Sequence, residues 1–205
     1  MKREAIENKM KNHKPSIIGQ KQITNYSILL PLMEKEGELH LVFEVRSLQM
    51  RRQPGEICFP GGKVDLQDRQ VLDAAVREAK EELGITGHDI EKVYPFDYMV
   101  FPFGMIVHTY VGFLNCPEDR ISPNPAEVEE VFTVPLSFFQ ENEPDIHYVN
   151  FDVIPDEGFP FELIANGRDY EWQTRKMEEF FYQYEDKVIW GLTARVLHAF
   201  IESLD

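Results

Sequence analysis

The sequence predicts an α/β fold, a mixed central sheet sandwiched between helices. Three observations carry this expectation. Aliphatic and β-branched runs occur on both sides of one strongly periodic helical segment. A second periodic segment closes the chain, so the order is strands, helix, strands, helix. A hydrophobic content of 43% over 205 residues suits a single domain with a sizeable core.

Taken in order, residues 1–23 read as a polar extension containing a short helix, and residues 24–205 as the domain. Thr24–Met33 and Gly37–Arg46 read as a strand hairpin around Glu34–Glu36. Glu56–Pro60 reads as a short strand ending in a Pro60-Gly61-Gly62 turn, and Lys63–Arg69 as a polar loop. Over Gln70–Leu83, Leu72, Val76, Ala79 and Leu83 form one apolar stripe, and Gly84 supplies the stop. Further strands are expected at Lys92–Val100, Met105–Leu114, Glu129–Val134 and His147–Ile154, with a helical turn at Pro135–Gln140. Lys187–Leu204 reads as the last helix, and the charged, aromatic stretch Asn166–Glu179 as an insertion or long loop.

Composition excludes several classes. Net charge is −15, which opposes nonspecific binding to nucleic acid or a membrane surface. An anionic substrate then needs a metal or a local basic cluster. No run approaches the roughly 18 apolar residues of a membrane span, and the polar opening lacks the apolar centre of a signal peptide. A cytoplasmic location is the expectation. Cys58 and Cys116, in apolar runs and outside any CxxC pair, read as small buried hydrophobes. The six histidines show no ligand spacing, and Trp190 and Phe180-Phe181-Tyr182 read as packing residues.

The chemistry concentrates in Gly61-Gly62-Lys63-Val64-Asp65-Leu66-Gln67-Asp68 and in Arg77-Glu78-Ala79-Lys80-Glu81-Glu82-Leu83-Gly84-Ile85. Glu78, Glu81 and Glu82 fall at i, i+3 and i+4, one face of a helix. Because that face lies away from the apolar stripe, the three carboxylates are expected to stay accessible. Three close carboxylates need a cation, and hard oxygen donors suit Mg²⁺ or Mn²⁺. The bland alternative is a solvated acidic face, but the bounding glycines weigh against it. Gly62, Arg77, Glu78, Glu81, Glu82 and Gly84 together match by chance on the order of 10⁻⁷ per starting point.

These residues resemble the Nudix hydrolase box, G-x5-E-x7-R-E-U-x-E-E-x-G-U, with U aliphatic. Its second half matches throughout, with Ala79 as a small U residue. Its first half departs: fourteen residues separate Gly62 from Arg77, one more than in the family, and Asp68 stands at the first Glu. The resemblance implies a Nudix α/β/α sandwich with a mixed central sheet. It also implies metal ligation by Glu78, Glu82 and Glu81, and carboxylate orientation by Arg77. The catalytic candidates are Glu81, Glu78 and Arg77. Glu127, Glu129 and Glu130 are alternative bases, since some relatives place the base in a later loop.

The extra residue is shared with a subgroup that hydrolyses coenzyme A. That subgroup carries R-S-x3-R-x3-G-x3-F-P-G-G, matched here by Arg46, Ser47, Arg51, Gly55, Phe59, Pro60, Gly61 and Gly62. Residues 125–136 and 188–195 also resemble it, and the likeness is weakest across Asp156–Asp186. Arg46, Arg51, Arg52 and Lys63 place four cations in an 18-residue window opposed only by Glu56. Guanidinium forks match phosphate oxygens, and coenzyme A has a diphosphate and a separate 3′-phosphate. The substrate-binding candidates are Arg46, Arg51, Gly61, Gly62 and Lys63. The expected activity is metal-dependent cleavage of coenzyme A to 3′,5′-ADP and 4′-phosphopantetheine. The alternatives are another Nudix substrate (ADP-ribose, NADH or a dinucleoside polyphosphate) or a non-catalytic nucleotide sensor. The expected partner is a small nucleotide, with a homodimer left open.

Overall fold

The computed structural model describes residues 2–19, 22–101 and 104–204. A nine-residue polar helix, α1 (Arg3–Lys11), opens the chain and buries none of its residues. Strands β1 (Thr24–Lys35) and β2 (Glu38–Arg46) form the expected hairpin, turning at Glu36-Gly37, both with positive φ. Then come β3 (Ile57–Cys58), β4 (Gly61–Lys63) and helix α2 (Val71–Leu83). Next are β5 (Ile90–Phe101), β6 (Met105–Leu114), β7 (Val128–Pro135) and α3 (Leu136–Glu141). The chain finishes with β8 (Asp145–Phe151), β9 (Arg175–Tyr184), β10 (Lys187–Trp190) and α4 (Gly191–Glu202).

Among the described residues, seven strands form a mixed sheet in the order β3-β2-β1-β6-β5, with β4 added on β1 and β7 on β2. β1 and β6 run parallel over ten residue pairs, while the other pairings are antiparallel. A second, antiparallel sheet has the order β10-β9-β8.

Strand alternation explains the layers. Along β1, Leu30 and Leu32 join a core with Ala194, Leu197 and Phe200 of α4, while Leu29 packs on Ala75 and Ala79 of α2. Along β2, Leu41 and Phe43 face the α4 core, and Val42 joins the cluster of Leu83 and Ile85 on the α2 side. The sheet is therefore covered on both faces, which is the α/β/α sandwich. Two-residue alternation also puts Glu44 on the same side as Val42, toward α2.

Three local expectations need correction. Pro60-Gly61-Gly62 is not simply a turn: Gly61–Lys63 pairs with β1. A Cβ on Gly61 would lie 2.6 Å from both the Ser27 carbonyl oxygen and Ile28 Cγ2, so only glycine permits so close an approach. Lys187–Trp190 is strand rather than helix, paired with Phe181–Tyr184, and the helix begins at Gly191, where φ is +62°. A short apolar run carries no decisive period, so strand and helix look alike there. Within 166–179, a 3₁₀ turn at Gly167–Asp169 is followed by the start of β9, so its last five residues are strand. Cys58 and Cys116 are free and only half-buried.

Candidate active site

Helix α2 is fixed at both ends. At its start, the Asp73 carboxylate accepts from the Arg69 and Gln70 N–H groups, each at 3.0 Å. At its end Gly84 takes the left-handed conformation, φ +64°. The next loop caps the last carbonyls, with the Ser122 N–H donating to Leu83 O and the Asn124 N–H to Glu82 O, both at 3.0 Å. That capping carries the chain back past the helix and delivers Glu127.

The buried face of α2 is Ala74, Ala75, Ala79, Glu82 and Leu83. Leu72 and Val76 are half-buried only, so the packed stripe is rotated from the one read in the sequence. The expectation that all three glutamates are accessible is corrected accordingly. Glu82 is 4% exposed, Glu78 is half-buried, and Glu81 alone is exposed. Glu82 Oε2 accepts from the Gly61 N–H at 2.8 Å. A side chain on Gly62 would overlap the Glu78 carboxylate, so Gly62 is the space that Glu78 occupies.

Arg77 organises this end. Its Nε and Nη2 donate to the two oxygens of Asp68 at 3.2 and 3.1 Å. Its Nη1 lies 2.8 Å from Glu78 Oε1 and 3.4 Å from Glu81 Oε2, and Nη2 also donates to the Lys63 carbonyl at 3.3 Å. The Arg77 hydrogen bonds hold Asp68 below the usual carboxylate range, and Asp68 in turn raises Arg77. Asp68, which stands at the box's first Glu, thus anchors the arginine rather than facing the cleft.

One carboxylate was missed. Glu44, on the α2 face of β2, is 1% exposed, with Oε2 lacking a hydrogen-bond partner among the described residues. Its Oε1 accepts from Cys58 Sγ at 3.2 Å. Burial pushes the Glu44 carboxyl up to about 7 despite that bond, and Glu82, by burial and then by Glu44, up to about 9. Glu78 is raised too, chiefly by burial, and Cys58 by burial and then by Glu44. Glu127 bears electrostatically on Glu44, Glu78 and Glu82. A charged residue midway along an otherwise apolar strand was the signal that could have found Glu44.

Four mutually repelling carboxylates, two of them buried, are the donor chemistry of a hard divalent cation. Among the described residues, no three His, Cys, Asp or Glu side chains surround one point as a ready cage. The residues present fit a cation by chemistry and burial; Glu78 and Glu82 are turned instead to Arg77 and Gly61.

Gly61 and Gly62, which Glu82 and Glu78 touch, line a cleft of about 560 Å³. Arg46, Arg52 and Arg195 also line it, with the acids Glu56 and Glu179 and apolar side chains that include Tyr26, Phe101 and Trp190. The pairing of β2 on β7 slips between Val45 and Arg46, the kind of bulge that re-aims a side chain. Ser47 is wholly buried and ties the two motif regions together: its N–H donates to Glu127 O at 2.8 Å and its Oγ to Pro125 O at 3.3 Å.

The other sequence candidates are placed as follows. Arg51 and Lys63 are exposed and absent from the cleft lining. Glu129 and Glu130 are exposed, and Glu130 pairs with Lys187 Nζ at 2.6 Å. Trp190 lines the cleft and stacks on Phe181 at 5.7 Å. Arg52 belongs to the basic window read in the sequence and lines the cleft; Arg195 is a cleft residue absent from the sequence candidates.

The NUDIX domain family model matches residues 24–156. The chain is 43% identical over 145 residues to a peroxisomal coenzyme A diphosphatase of Mus musculus, covering 71% of this chain and 56% of that protein. It is 38% identical over 134 residues to one of Caenorhabditis elegans, covering 60% and 53%. An uncharacterised Nudix hydrolase of Photorhabdus laumondii is 30% identical over 172 residues, covering 84% and 80%. The matches span about half the length of the mouse and nematode proteins.

Proposed function

The chain belongs to the NUDIX family, and from that premise we propose that it hydrolyses the diphosphate of coenzyme A or its derivatives, releasing 3′,5′-ADP and 4′-phosphopantetheine. The observation that carries the reading is that Gly61 and Gly62, which line an arginine-bearing cleft, are also the residues that Glu82 and Glu78 touch, with Glu44 and Glu127 acting electrostatically on the same pair. Support for coenzyme A comes from the Arg46–Gly62 signature and from the coenzyme A diphosphatase names of the mouse and nematode relatives.

Glu78 and Glu82, with Glu81 at the exposed edge, are the proposed ligands for Mg²⁺ or Mn²⁺. When bound, such an ion supplies charge neutralisation at the diphosphate and acidifies the attacking water. Arg77 holds Glu78 and Glu81 in orientation, with Asp68 as its counter-anchor. Glu127 is the favoured proton acceptor among the three later acids because it alone of them bears electrostatically on Glu44, Glu78 and Glu82; Glu81 is the competing base. The water proton passes to that carboxylate as the phosphorus–oxygen bond to the leaving phosphate breaks. The arginines of the cleft bind phosphate oxygens.

The same reading keeps residues 24–205 as the hydrolase domain and 1–23 as a polar extension; of the 166–179 stretch, residues 175–179 are strand, and Met177 and Glu179 among them line the cleft. On location, the cytoplasmic expectation competes with the peroxisomal names of two relatives. No helix among the described residues is long and apolar enough to cross a membrane.

The test is mass spectrometry of products after incubation with coenzyme A, ADP-ribose, NADH and dinucleoside polyphosphates, with Mg²⁺ or Mn²⁺. Production of 3′,5′-ADP and 4′-phosphopantetheine as the fastest reaction is expected. Preference for ADP-ribose or a dinucleoside polyphosphate overturns the substrate, and turnover of none overturns the activity.

A further inference from the structure

Two cationic donors in the cleft have no partner. Arg46 Nε and Arg195 Nη2 are buried and, among the described residues, make no hydrogen bond. A buried guanidinium N–H without an acceptor is costly, and folded proteins rarely keep one that nothing will meet. Both arginines line the same cleft, together with exposed Arg52.

Their positions are fixed. The Arg195 guanidinium lies 5.4 Å from the Phe180 ring centre. Two residues earlier, Thr193 Oγ donates to Ile57 O at 3.1 Å and pins the first turn of α4 to β3. The Arg46 N–H donates to Glu56 O at 2.9 Å, and its carbonyl accepts from the Gly55 N–H at 3.0 Å. The acids in the lining do not neutralise them: the Glu56 carboxylate accepts from Gln53 Nε2 at 2.8 Å, and neither Glu56 nor Glu179 forms an ion pair with an arginine among the described residues. Arg46 is within electrostatic reach of Glu44; in a chain of net charge −15, its unmet Nε–H and the unmet Arg195 Nη2–H in one cleft point to an anion supplied from outside.

The carboxylates belong to the α2 side of the sheet and Arg195 to the α4 side, with Gly61-Gly62 between them. A diphosphate engaged at the carboxylate end leaves the α4-side arginines for another phosphate. We propose that Arg195 and Arg46 form a second anion subsite, which takes a phosphomonoester that the substrate carries in addition to its diphosphate. The subsite rests on the reading of the chain as a nucleotide diphosphatase and deepens it. It gives the extra phosphate to a residue of the last helix, not to Arg51.

Isothermal titration calorimetry of the full chain, without added divalent metal, tests this with adenosine 3′,5′-bisphosphate and adenosine 5′-monophosphate. The wild type is expected to prefer the bisphosphate. Arg195→Met, which keeps an unbranched stem over Phe180, is expected to weaken the bisphosphate by roughly 10- to 150-fold and the monophosphate by no more than a few-fold. Arg195→Lys should recover part of the loss as a point charge without the fork. Equal wild-type affinity for both nucleotides, or equal losses on both in Arg195→Met, overturns the subsite. If Arg195→Met does not fold, Arg46→Met and Arg195→Lys carry the same comparison under the same criteria. Hydrolysis of coenzyme A by the wild type is scored separately: its absence removes the proposed activity, while the two nucleotide affinities still decide the subsite.

Discussion

The acidic and basic sides of the cleft are assembled differently. The acidic side draws on the stretch from Gly61 to Gly84, joined by Glu44 from β2 and by Glu127 from the loop that caps α2. Its groups are tied down: Glu82 to the Gly61 N–H, Glu78 to Arg77, and Arg77 to Asp68. The basic side comes from the end of β2, the loop after it and the last helix, and two of its guanidinium groups have an unmet donor. One side is an over-determined cluster of carboxylates. The other is a set of guanidinium groups, two with an unmet N–H. Under the proposed function, the first side would take the metal and the second the substrate's phosphates.

The largest expected effect breaks the acidic side. Glu82→Gln and Glu78→Gln should each lower turnover at saturating Mg²⁺ by roughly 10³-fold or more, with the fold retained, since Gln keeps the size of Glu and an oxygen that can accept the Gly61 or Arg77 hydrogen bond. Gly62→Ala should reproduce the loss without altering a carboxylate, because the new methyl group occupies the Glu78 position. Near-wild-type turnover in all three, with circular dichroism unchanged, would remove the metal assignment.

Next in size is the base. Glu127→Gln should cost roughly 10²–10⁴ in rate while metal affinity, followed by Mn²⁺ electron paramagnetic resonance, stays the same. Glu129→Gln and Glu130→Gln should remain within a few-fold, the latter losing only an exposed pair with Lys187. If Glu127→Gln is also within a few-fold, Glu81 takes the role.

On the basic side, Arg52→Ala should lower kcat/KM for coenzyme A by roughly 10- to 150-fold, the range of one charge-assisted bond. Arg51→Ala should change it little, as Arg51 does not line the cleft. The reverse ranking would put the loop in a different arrangement when substrate is bound.

The smallest effect concerns pH. Glu44 and Glu82 have folded values raised to about 7 and about 9 from an ordinary 4.5. The folded chain holds these protons more tightly than the unfolded chain does. Their contribution to stability is therefore complete below the ordinary value and is lost as pH rises through the folded values. The unfolding temperature of chelator-treated protein should fall from about pH 5 to about pH 9. Glu44→Gln should flatten that slope, and an unchanged slope would contradict the buried coupling.

These expectations separate what was legible in the chain from what was not. Strand and helix periods, the glycine-bounded glutamates and the arginine-rich window are contiguous patterns, and the strands around α2 follow them closely. The last helix was read four residues early because Lys187–Trp190 is stabilised by pairing with β9, which lies outside its own period.

The sequence by itself determined the layered α/β fold, the Arg77–Glu82 carboxylate face and the presence of a basic segment beside it, because each is written within one or two turns or strands. Only the tertiary structure decided which of those charges are buried and what they meet. Alternation along β2 puts Glu44 against Glu82, the cap on α2 brings Glu127 to the same cluster, and α4 carries Arg195 to a cleft whose other arginines lie far back in the chain. Desolvation and long-range contact set these charges' behaviour, and neither is a property of a local stretch of sequence.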